Sequence, residues 1–391
     1  MKKKESEEIT WIFLLSYQRT GSSFIGSIFN DPDHVFYVYE PIDPLYAAMY
    51  GVQDGWTVPN DVFNNRNGTL RSTPEVEKRA VVWTMEQIFT CNMASLPPAL
   101  LAHSFWYLFN PEMTHAQDYL ACIRHQNVKF AGLHRNCQRF IQLRCGVRFG
   151  SKPVQQQYCL EILWGNKLDT SSEKYEPNSN KYRYSVSNET LPMDFERYFQ
   201  CLIKIEPVLT KCAGKYLDEP CKGKKLRAIK TVRANMDASE ILLKLHPNIR
   251  LVHLYRDPRG VVRSRLQIKW TRGLATRSSV THEAQLYCSQ VLSDIRKRIR
   301  LEKQGYSNSI KEIVYDNYVQ DRLLNLLDLY NFFGHEPSTK VKRLYENTRI
   351  KENYKNIYGN EWIKDMKQED IKNITSVCSE FYKETSFSWT D

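Results

Sequence analysis

A short apolar run, followed at once by a glycine-containing polar turn, is the sequence feature that most constrains the fold of this chain. Residues Ile9–Leu15 are almost continuously apolar, and the turn Arg19–Ser23 follows with Gly21 at its centre. An apolar run of this length that ends in a turn is typical of a strand buried on both faces of a parallel sheet. We therefore predict a first β-strand, a loop, and a helix that begins at Ser22 or Ser23.

The loop Ser16–Ser23 has the position of an anion-binding loop, because backbone N–H groups between a strand and a helix bind phosphate well. Its length matches the NTPase pattern GxxxxGK[ST], but Ser22 stands where that pattern has its lysine. This departure disfavours a P-loop kinase or NTPase. The predicted anion ligands are the Arg19 side chain, the backbone around Gly21, and the hydroxyls of Ser22 and Ser23. The alternative is an ordinary helix cap at Ser22.

Strands and helices alternate along the rest of the chain, which favours an α/β fold. Further strands are predicted at 35–39, 128–133, 227–231, 250–255 and 310–315, and further helices at 75–93, 97–108, 195–213, 238–245, 259–269, 282–303, 319–333 and 367–384. The expected fold is a P-loop-like doubly wound parallel sheet flanked by helices, in a single domain over 1–391. A helical and loop elaboration is expected in the middle, at about 97–190, with 165–190 as a surface loop.

A second anion motif follows the predicted strand 250–255. Arg256 would leave that strand at its carboxyl edge, where open α/β sheets bind ligands, and Pro258 is well placed to start a helix. Ser264 lies about two turns along this helix, so both side chains could face one phosphate. The alternative is a salt-bridged helix start in which Asp257 pairs with Arg259 or with other nearby cations.

Composition narrows the class of partner. The chain has 55 Lys+Arg against 44 Asp+Glu, a net charge of +11, which favours an anionic partner; a polyanion-binding module is the non-enzyme alternative. Ten cysteines include no CxxC pair, so no metal site is expected and an oxidising compartment is favoured. Three sequons, at Asn67, Asn188 and Asn373, agree with a luminal glycoprotein. No apolar run reaches the roughly 18 residues that span a bilayer, so no transmembrane segment is expected.

Together the two anion motifs resemble the Golgi carbohydrate sulfotransferases, which use 3′-phosphoadenosine-5′-phosphosulfate (PAPS) and sulfate galactose, N-acetylgalactosamine and N-acetylglucosamine, mostly at the 6-hydroxyl. Arg19-Thr-Gly-Ser-Ser-Phe24 is similar to the family's 5′-phosphosulfate loop, and Arg256-Asp-Pro-Arg-Gly-Val-Val-Arg-Ser264 to its 3′-phosphate motif. The likeness also includes segments that begin at Val35, Ala228, Leu286, Tyr315, Thr348, Trp362 and Val377.

The resemblance implies the cofactor-binding residues. These are Arg19, Thr20, Gly21, Ser22, Ser23 and Phe24 for the 5′-phosphosulfate, Arg256 and Ser264 for the 3′-phosphate, and Arg349 as an added contact. It also implies a glycan acceptor, already anionic in some cases, and no nucleic acid partner. We expect a location in the Golgi lumen or secretory pathway, with the cytoplasm as the alternative. A small-molecule alcohol is the alternative acceptor.

Transfer of a sulfuryl group needs charge stabilisation and a base rather than a metal ion. Arg19 and Lys230 are predicted to stabilise the developing negative charge, since Lys230 ends a predicted strand. Glu40 is the predicted base, because it ends the second strand, which we expect beside the first. Its alternative is a surface carboxylate or an arginine partner, and His34, His134 and His253 are the other candidate bases.

Overall fold

The computed structural model describes residues 9–50, 63, 69–101, 114–125, 204–267, 279–346, 366–385 and 387. Within them the strands are β1 (Thr10–Leu15), β2 (Val35–Tyr39), β3 (Leu226–Thr231), β4 (Ile249–Tyr255) and β5 (Ile310–Val314). Their order in the sheet is β2-β3-β1-β4-β5. The pairs β1–β4, β2–β3 and β4–β5 are parallel. The predicted parallel α/β fold is therefore confirmed.

The helices fall between these strands. In the first half they are α1 (Ser22–Gly26), α2 (Ile42–Tyr50), α3 (Glu75–Phe89), α4 (Pro98–Leu101), α5 (Thr114–His125), α6 (204–213) and α7 (Glu219–Lys222). In the second half they are α8 (Met236–Leu245), α9 (Pro258–Gln267), α10 (Val280–Leu301), α11 (Tyr315–Tyr318), α12 (Arg322–Phe333), α13 (Thr339–Glu346), α14 (Gln368–Val377) and α15 (Ser379–Glu384).

The chain divides into two compact units. Unit 1 comprises Met1–His34, Phe63–Ser72 and Ala234–Asp391, and unit 2 comprises Val35–Val62 and Thr73–Arg233. The prediction of a single domain stays a prediction. The strand predicted at 128–133 and the loop predicted at 165–190 lie outside the described residues.

Unit 1 has a core built around β1, β4 and the long helix α10. Residues 12–15 of β1 have no exposed surface, as the apolar run predicts. Tyr17, Tyr255 and Tyr287 pack in one cluster with apolar residues of α9, α14 and α15. The Cys288–Cys378 disulfide joins α10 to the residue that follows α14. The C-terminal helices are therefore part of the core that supports the first loop and the end of β4.

Unit 2 contains β2 and β3 as neighbours, with Tyr39 in register with Lys230. The expectation that β2 lies beside β1 is wrong, because β3 occupies the position between them in the strand order. Two disulfides, Cys91–Cys221 and Cys122–Cys212, lie within this unit. Among the described residues no cysteine is free, in agreement with the expected oxidising compartment.

Candidate functional site

The loop between β1 and α1 is a tight turn that has two residues with positive φ. Arg19 has φ 70° and Gly21 has φ 83°, and only glycine adopts this conformation readily. A Cβ atom built on Gly21 would lie 2.0 Å from Cε2 of Tyr315. Thr20 closes the turn, since its Oγ1 donates a 2.7 Å hydrogen bond to the carbonyl oxygen of Tyr17. The predicted glycine is therefore required twice, by the backbone angle and by the tyrosine ring above it.

The hydroxyl residues follow at the start of α1. Ser22 is buried and Ser23 is exposed. The Phe24 ring stacks on Tyr345 at a centroid distance of 5.8 Å and meets Tyr315 edge-on at 6.3 Å. Phe24 is therefore an anchor that packs this short helix against α11 and α13.

The two predicted anion motifs meet in the structure. Nε of Arg19 donates a 2.9 Å hydrogen bond to Oγ of Ser264, which lies on α9 two turns after Pro258. The sequence separates these residues by 245 positions, and each was assigned to a different phosphate of the nucleotide. Unit 1 thus places the side chains of both motifs at one point, where guanidinium and hydroxyl donors are suited to phosphate or sulfate oxygens.

Arg256 is held from several sides. Its Nε lies 3.3 Å from Oδ1 of Asp316, and its guanidinium carbon lies 5.0 Å from the centre of the Tyr315 ring. The hydroxyl of Tyr287 donates to the carbonyl oxygen of Arg256 at 2.8 Å, and the hydroxyl oxygen lies 3.0 Å from the backbone nitrogen. Both the backbone and the side chain of Arg256 are thereby fixed at the carboxyl end of β4.

The structure contains the ion pair between Asp257 and Arg259 that the sequence analysis gave as an alternative for this motif. Arg259 NH2 lies 2.7 Å from Oδ2 of Asp257, and the Tyr382 hydroxyl donates to Oδ1 of Asp257 at 2.9 Å. Arg265, in turn, pairs with Glu283 at 3.2 Å. The salt-bridged helix start therefore coexists with the contacts of Arg256 and Ser264. The hydrogen bond from Tyr382 to Asp257 was not predicted from the sequence.

Unit 2 holds a second polar cluster at the ends of β2 and β3. The Oε1 atom of Glu40 lies 2.5 Å from Nζ of Lys230, and its Oε2 accepts from Oγ1 of Thr231 at 3.1 Å and from the backbone N–H of Val232 at 3.0 Å. Arg233 NH1 lies 3.6 Å from the same Oε2. Glu40 and Lys230, both predicted catalytic residues, are therefore direct partners.

This cluster is buried, and it contains equal numbers of positive and negative side chains. The side chains of Glu40 and Lys230 are 3% and 2% exposed. Arg233 Nε lies 2.7 Å from Oδ1 of Asp43, which gives two cations and two carboxylates in contact. Burial acts to lower the pKa of Lys230, but the Glu40 carboxylate and Tyr39 outweigh it and raise that pKa. Lys230 is therefore cationic at neutral pH.

The residues predicted as alternative bases are the histidines His34, His134 and His253. His253 is fully buried, and its Nε2 lies 2.7 Å from the Tyr17 hydroxyl; burial and the Arg298 charge lower the pKa of this imidazole to about 3. His34 is exposed and contacts Asp31. His134 and Arg349 lie outside the described residues.

The residues that sequence reasoning missed are the supports of the two motifs. Tyr287, Tyr315 and Asp316 contact Arg256 or Gly21, and Asp294 accepts from the Tyr17 hydroxyl at 2.7 Å. All four fall in segments that the family resemblance picked out, which was the available signal, but no role was assigned to them. Burial raises the pKa of Asp294 to about 7.

In the part of the chain that the structure describes, no group of three or more His, Cys, Asp and Glu side chains is arranged to hold a metal ion. No helix there is long and apolar enough to cross a membrane.

Comparison with known proteins gives a family match over most of the chain. The model of the sulfotransferase family matches residues 12–338. Carbohydrate sulfotransferase 7 of Rattus norvegicus is 40% identical over 50 residues, which are 13% of this chain and 10% of the relative. Its counterpart from Mus musculus is 44% identical over 45 residues, 12% of this chain and 9% of the relative. The alignments thus span about a tenth of these curated relatives.

Two solved structures are similar over most of their length. The sulfotransferase STF9 from Mycobacterium avium has a TM-score of 0.38 and 11% identity, with 97% of this chain and 78% of that chain covered. The sulfotransferase domain from the Synechococcus PCC 7002 olefin synthase has a TM-score of 0.29 and 14% identity, with 100% and 92% covered.

Proposed function

The chain belongs to the sulfotransferase family, and on that premise we propose that it transfers a sulfuryl group from PAPS to a hydroxyl of a sugar. The observation that carries the proposal is the 2.9 Å contact between Arg19 and Ser264. It joins the segment that resembles a 5′-phosphosulfate loop to the segment that resembles a 3′-phosphate motif. A kinase or NTPase needs a loop lysine that this chain lacks. A simple polyanion binder needs no such strand–loop–helix arrangement.

The residues of unit 1 fit the anionic ends of PAPS. Arg19, the loop backbone at Thr20 and Gly21, and the hydroxyls of Ser22 and Ser23 would bind the 5′-phosphosulfate, because guanidinium, N–H and hydroxyl groups suit its oxygens. In the second motif Arg256 and Ser264 would bind the 3′-phosphate. Phe24 keeps α1 in place through Tyr345, and Arg349 is proposed as an added contact on the resemblance alone.

When bound, PAPS supplies a sulfuryl group joined to phosphate, whose S–O bond breaks as the acceptor oxygen bonds to sulfur. The chain's contribution is to hold the two oxygens in line and to stabilise negative charge. Arg19 and Lys230 are the cations proposed for this role. Lys230 is cationic, and its flexible side chain can turn from one anionic partner to another.

Glu40 is proposed as the base that accepts the acceptor's proton. Four donors surround its carboxylate, with Lys230 the nearest cation at 2.5 Å. If Lys230 turns towards developing negative charge, Glu40 loses its nearest cation while it accepts the proton of the acceptor hydroxyl. The Glu40–Lys230 pair would then couple charge stabilisation to proton removal. The roles of these unit 2 residues are supported by their mutual contact and by their positions at the ends of β2 and β3.

The sugar acceptor is inferred from the short matches to carbohydrate sulfotransferase 7 and from the sequence resemblance. We propose the 6-hydroxyl of galactose, N-acetylgalactosamine or N-acetylglucosamine in a glycan as the acceptor group. The three disulfides among the described residues support the Golgi lumen or another oxidising secretory compartment over the cytoplasm.

The direct test is transfer of ³⁵S from labelled PAPS to a panel of neutral and sulfated oligosaccharides, with a phenol and a sterol as small-molecule alcohols. Labelled sugar is the expected product, and 6-deoxy acceptors should remain unlabelled. Labelling of the small alcohols alone would contradict the sugar assignment. Magnesium-dependent ATP hydrolysis without sulfuryl transfer would contradict the sulfotransferase activity itself.

Variants of the unit 2 pair test the proposed roles. Glu40→Gln retains the shape of the side chain but replaces one accepting oxygen with an NH2 group, which cannot accept from the surrounding donors. We expect kcat to fall by about 10²-fold or more with the PAPS affinity unchanged. We expect Lys230→Met to lower kcat as well. Glu240→Gln, a change at a partly buried carboxylate that pairs with Lys244 and Lys297, serves as the control. Near-native turnover by Glu40→Gln would remove Glu40 from the role of base.

A further inference from the structure

We propose that Asp316 is a positioning residue that makes this site selective for nucleotides with a 3′-phosphate, by holding the Arg256 guanidinium in its binding orientation. The inference deepens the proposed function and rests on it. It assigns a role to a residue that does not itself contact the nucleotide.

The contacts of Asp316 are divided between the side chain and the backbone of the motif. Its Oδ1 lies 3.3 Å from Nε of Arg256, and its Oδ2 accepts from the backbone N–H of Asp257 at 3.0 Å. One carboxylate thus links the Arg256 side chain to the peptide that follows it. This arrangement fixes the direction of the guanidinium relative to the end of β4.

A carboxylate beside a phosphate-binding arginine could instead compete with the phosphate. The geometry favours a role for Asp316 in orienting the Arg256 guanidinium. One oxygen of Asp316 contacts Nε, and the two side chains do not form a bidentate pair, which is the geometry that arginine adopts with phosphate. The Tyr315 ring lies 5.0 Å from the same guanidinium and supports one of its faces. An arginine ordered in this way loses less rotamer freedom when the phosphate binds.

The burial of Asp316 also fits a functional role. Its side chain is 14% exposed, and burial raises its pKa although the Arg256 charge and the Asp257 N–H act in the opposite direction. The fold therefore keeps this carboxyl where burial opposes its charge. Groups held at the expense of stability are common at binding sites.

The test compares the product 3′-phosphoadenosine-5′-phosphate with adenosine-5′-phosphate, which lacks the 3′-phosphate, by isothermal titration calorimetry. Asp316→Asn removes the charge and keeps an oxygen for the Asp257 N–H. We expect the dissociation constant for 3′-phosphoadenosine-5′-phosphate to rise about tenfold, and that for adenosine-5′-phosphate to change by less than about twofold. In the Arg256→Ala background the same change should have no effect. Asp328→Asn, at an ion pair with Lys311, is the matched control.

Steady-state rates give a second readout that a merely structural role would not move. We expect Asp316→Asn to raise KM for PAPS and to retain kcat. Asp316→Glu keeps the negative charge, but its longer side chain displaces the Arg256 guanidinium. We therefore expect this variant to lose most of the preference for 3′-phosphoadenosine-5′-phosphate over adenosine-5′-phosphate.

The outcomes separate the inference from the proposed function. Equal weakening of both nucleotides would indicate a purely structural role, and tighter binding of 3′-phosphoadenosine-5′-phosphate would indicate competition; either result overturns the inference. If the wild type binds neither nucleotide, the proposed function fails and this inference fails with it. If the wild type binds with a preference that Asp316→Asn leaves intact, only the inference fails.

Discussion

Nε of Arg19 and Oγ of Ser264 lie 2.9 Å apart, although one residue belongs to the loop after β1 and the other to the middle of α9. This hydrogen bond joins the two segments that were independently identified as anion motifs. It makes Ser264 a partner of the loop after β1 as well as a proposed ligand of the 3′-phosphate.

Ser264→Ala should weaken binding of 3′-phosphoadenosine-5′-phosphate by about tenfold, because it removes a hydroxyl ligand and leaves Arg19 without this acceptor. The fold should be retained, since the change is small and the hydrogen bond lies at an exposed position. Calorimetry measures the affinity. Ser289→Ala, which removes a hydroxyl bonded to the carbonyl oxygen of Leu286 on α10, should bind like the wild type. Equal affinity in both variants would contradict the role of Ser264.

Gly21→Ala should both destabilise the protein and abolish nucleotide binding. The new Cβ would meet the Tyr315 ring at 2.0 Å, and the residue would have φ 83°. Gly334→Ala is a matched control, because Gly334 has φ 75° with no atom within 4 Å of a built Cβ. We expect about 1 kcal/mol of destabilisation at Gly334 and clearly more at Gly21, measured by urea unfolding. Equal losses would mean that the tyrosine does not confine the loop.

The Cys288–Cys378 disulfide should support nucleotide binding as well as stability. Replacing both cysteines with serine should cost about 2–5 kcal/mol of unfolding free energy and loosen the contact between Tyr382 and Asp257. The Cys122–Cys212 disulfide spans the same sequence separation of 90 residues, so its removal has the same expected effect on chain entropy. Only the first pair of substitutions should weaken 3′-phosphoadenosine-5′-phosphate binding. Equal weakening by both would refute this prediction.

The buried chain His253–Tyr17–Asp294 predicts two opposite pH effects. Burial raises the pKa of Asp294 from 3.8 to about 7, so between these values the folded state binds the extra proton and stability falls as pH rises. Burial and Arg298 lower the pKa of His253 from 6.5 to about 3, so the unfolded state binds the extra proton and stability rises with pH. From about pH 4 to 6.5 the two contributions offset each other.

Single substitutions should expose each contribution. The free energy of unfolding of Asp294→Asn should rise more steeply with pH than that of the wild type between pH 4 and 6.5. For His253→Gln, the slope of the free energy of unfolding against pH should instead be lower than that of the wild type. Each difference is at most about 1.4 kcal/mol per pH unit. Urea unfolding across this range measures both slopes, and parallel curves for all three proteins would contradict the assigned shifts.

Local sequence patterns predicted the strands of the described residues and the loop after β1. The run 9–15, the run 35–39 and the strand before Arg256 all depend on short-range hydrophobic pattern, and the structure places strands at each. The strand order was not accessible in this way, since β3 comes from a segment almost 190 residues after β2 and still pairs with it. For this reason the contact between Glu40 and Lys230 was not foreseen, although each residue was proposed separately.

Local sequence patterns also did not identify the residues that support the two motifs. Tyr315 confines Gly21 and supports Arg256, but in the sequence it is one tyrosine among 23. Tyr382 reaches Asp257 from helix α15, beyond the residues matched by the family model. Such contacts join segments far apart in the chain, and their energies depend on packing that no single segment encodes.

The central claim is that unit 1 binds a 3′,5′-phosphorylated adenine nucleotide through Arg256. The most direct test is calorimetric titration of 3′-phosphoadenosine-5′-phosphate into the wild type and into Arg256→Ala, with thermal melting to verify folding. Arg250→Ala is the charge-matched control, because the Arg250 guanidinium donates to backbone carbonyl oxygens, those of Pro247 and Ile249. We predict binding that Arg256→Ala weakens by more than about tenfold and that Arg250→Ala preserves. Absence of binding to the wild type, or a preference for ATP with Mg²⁺, would contradict the account.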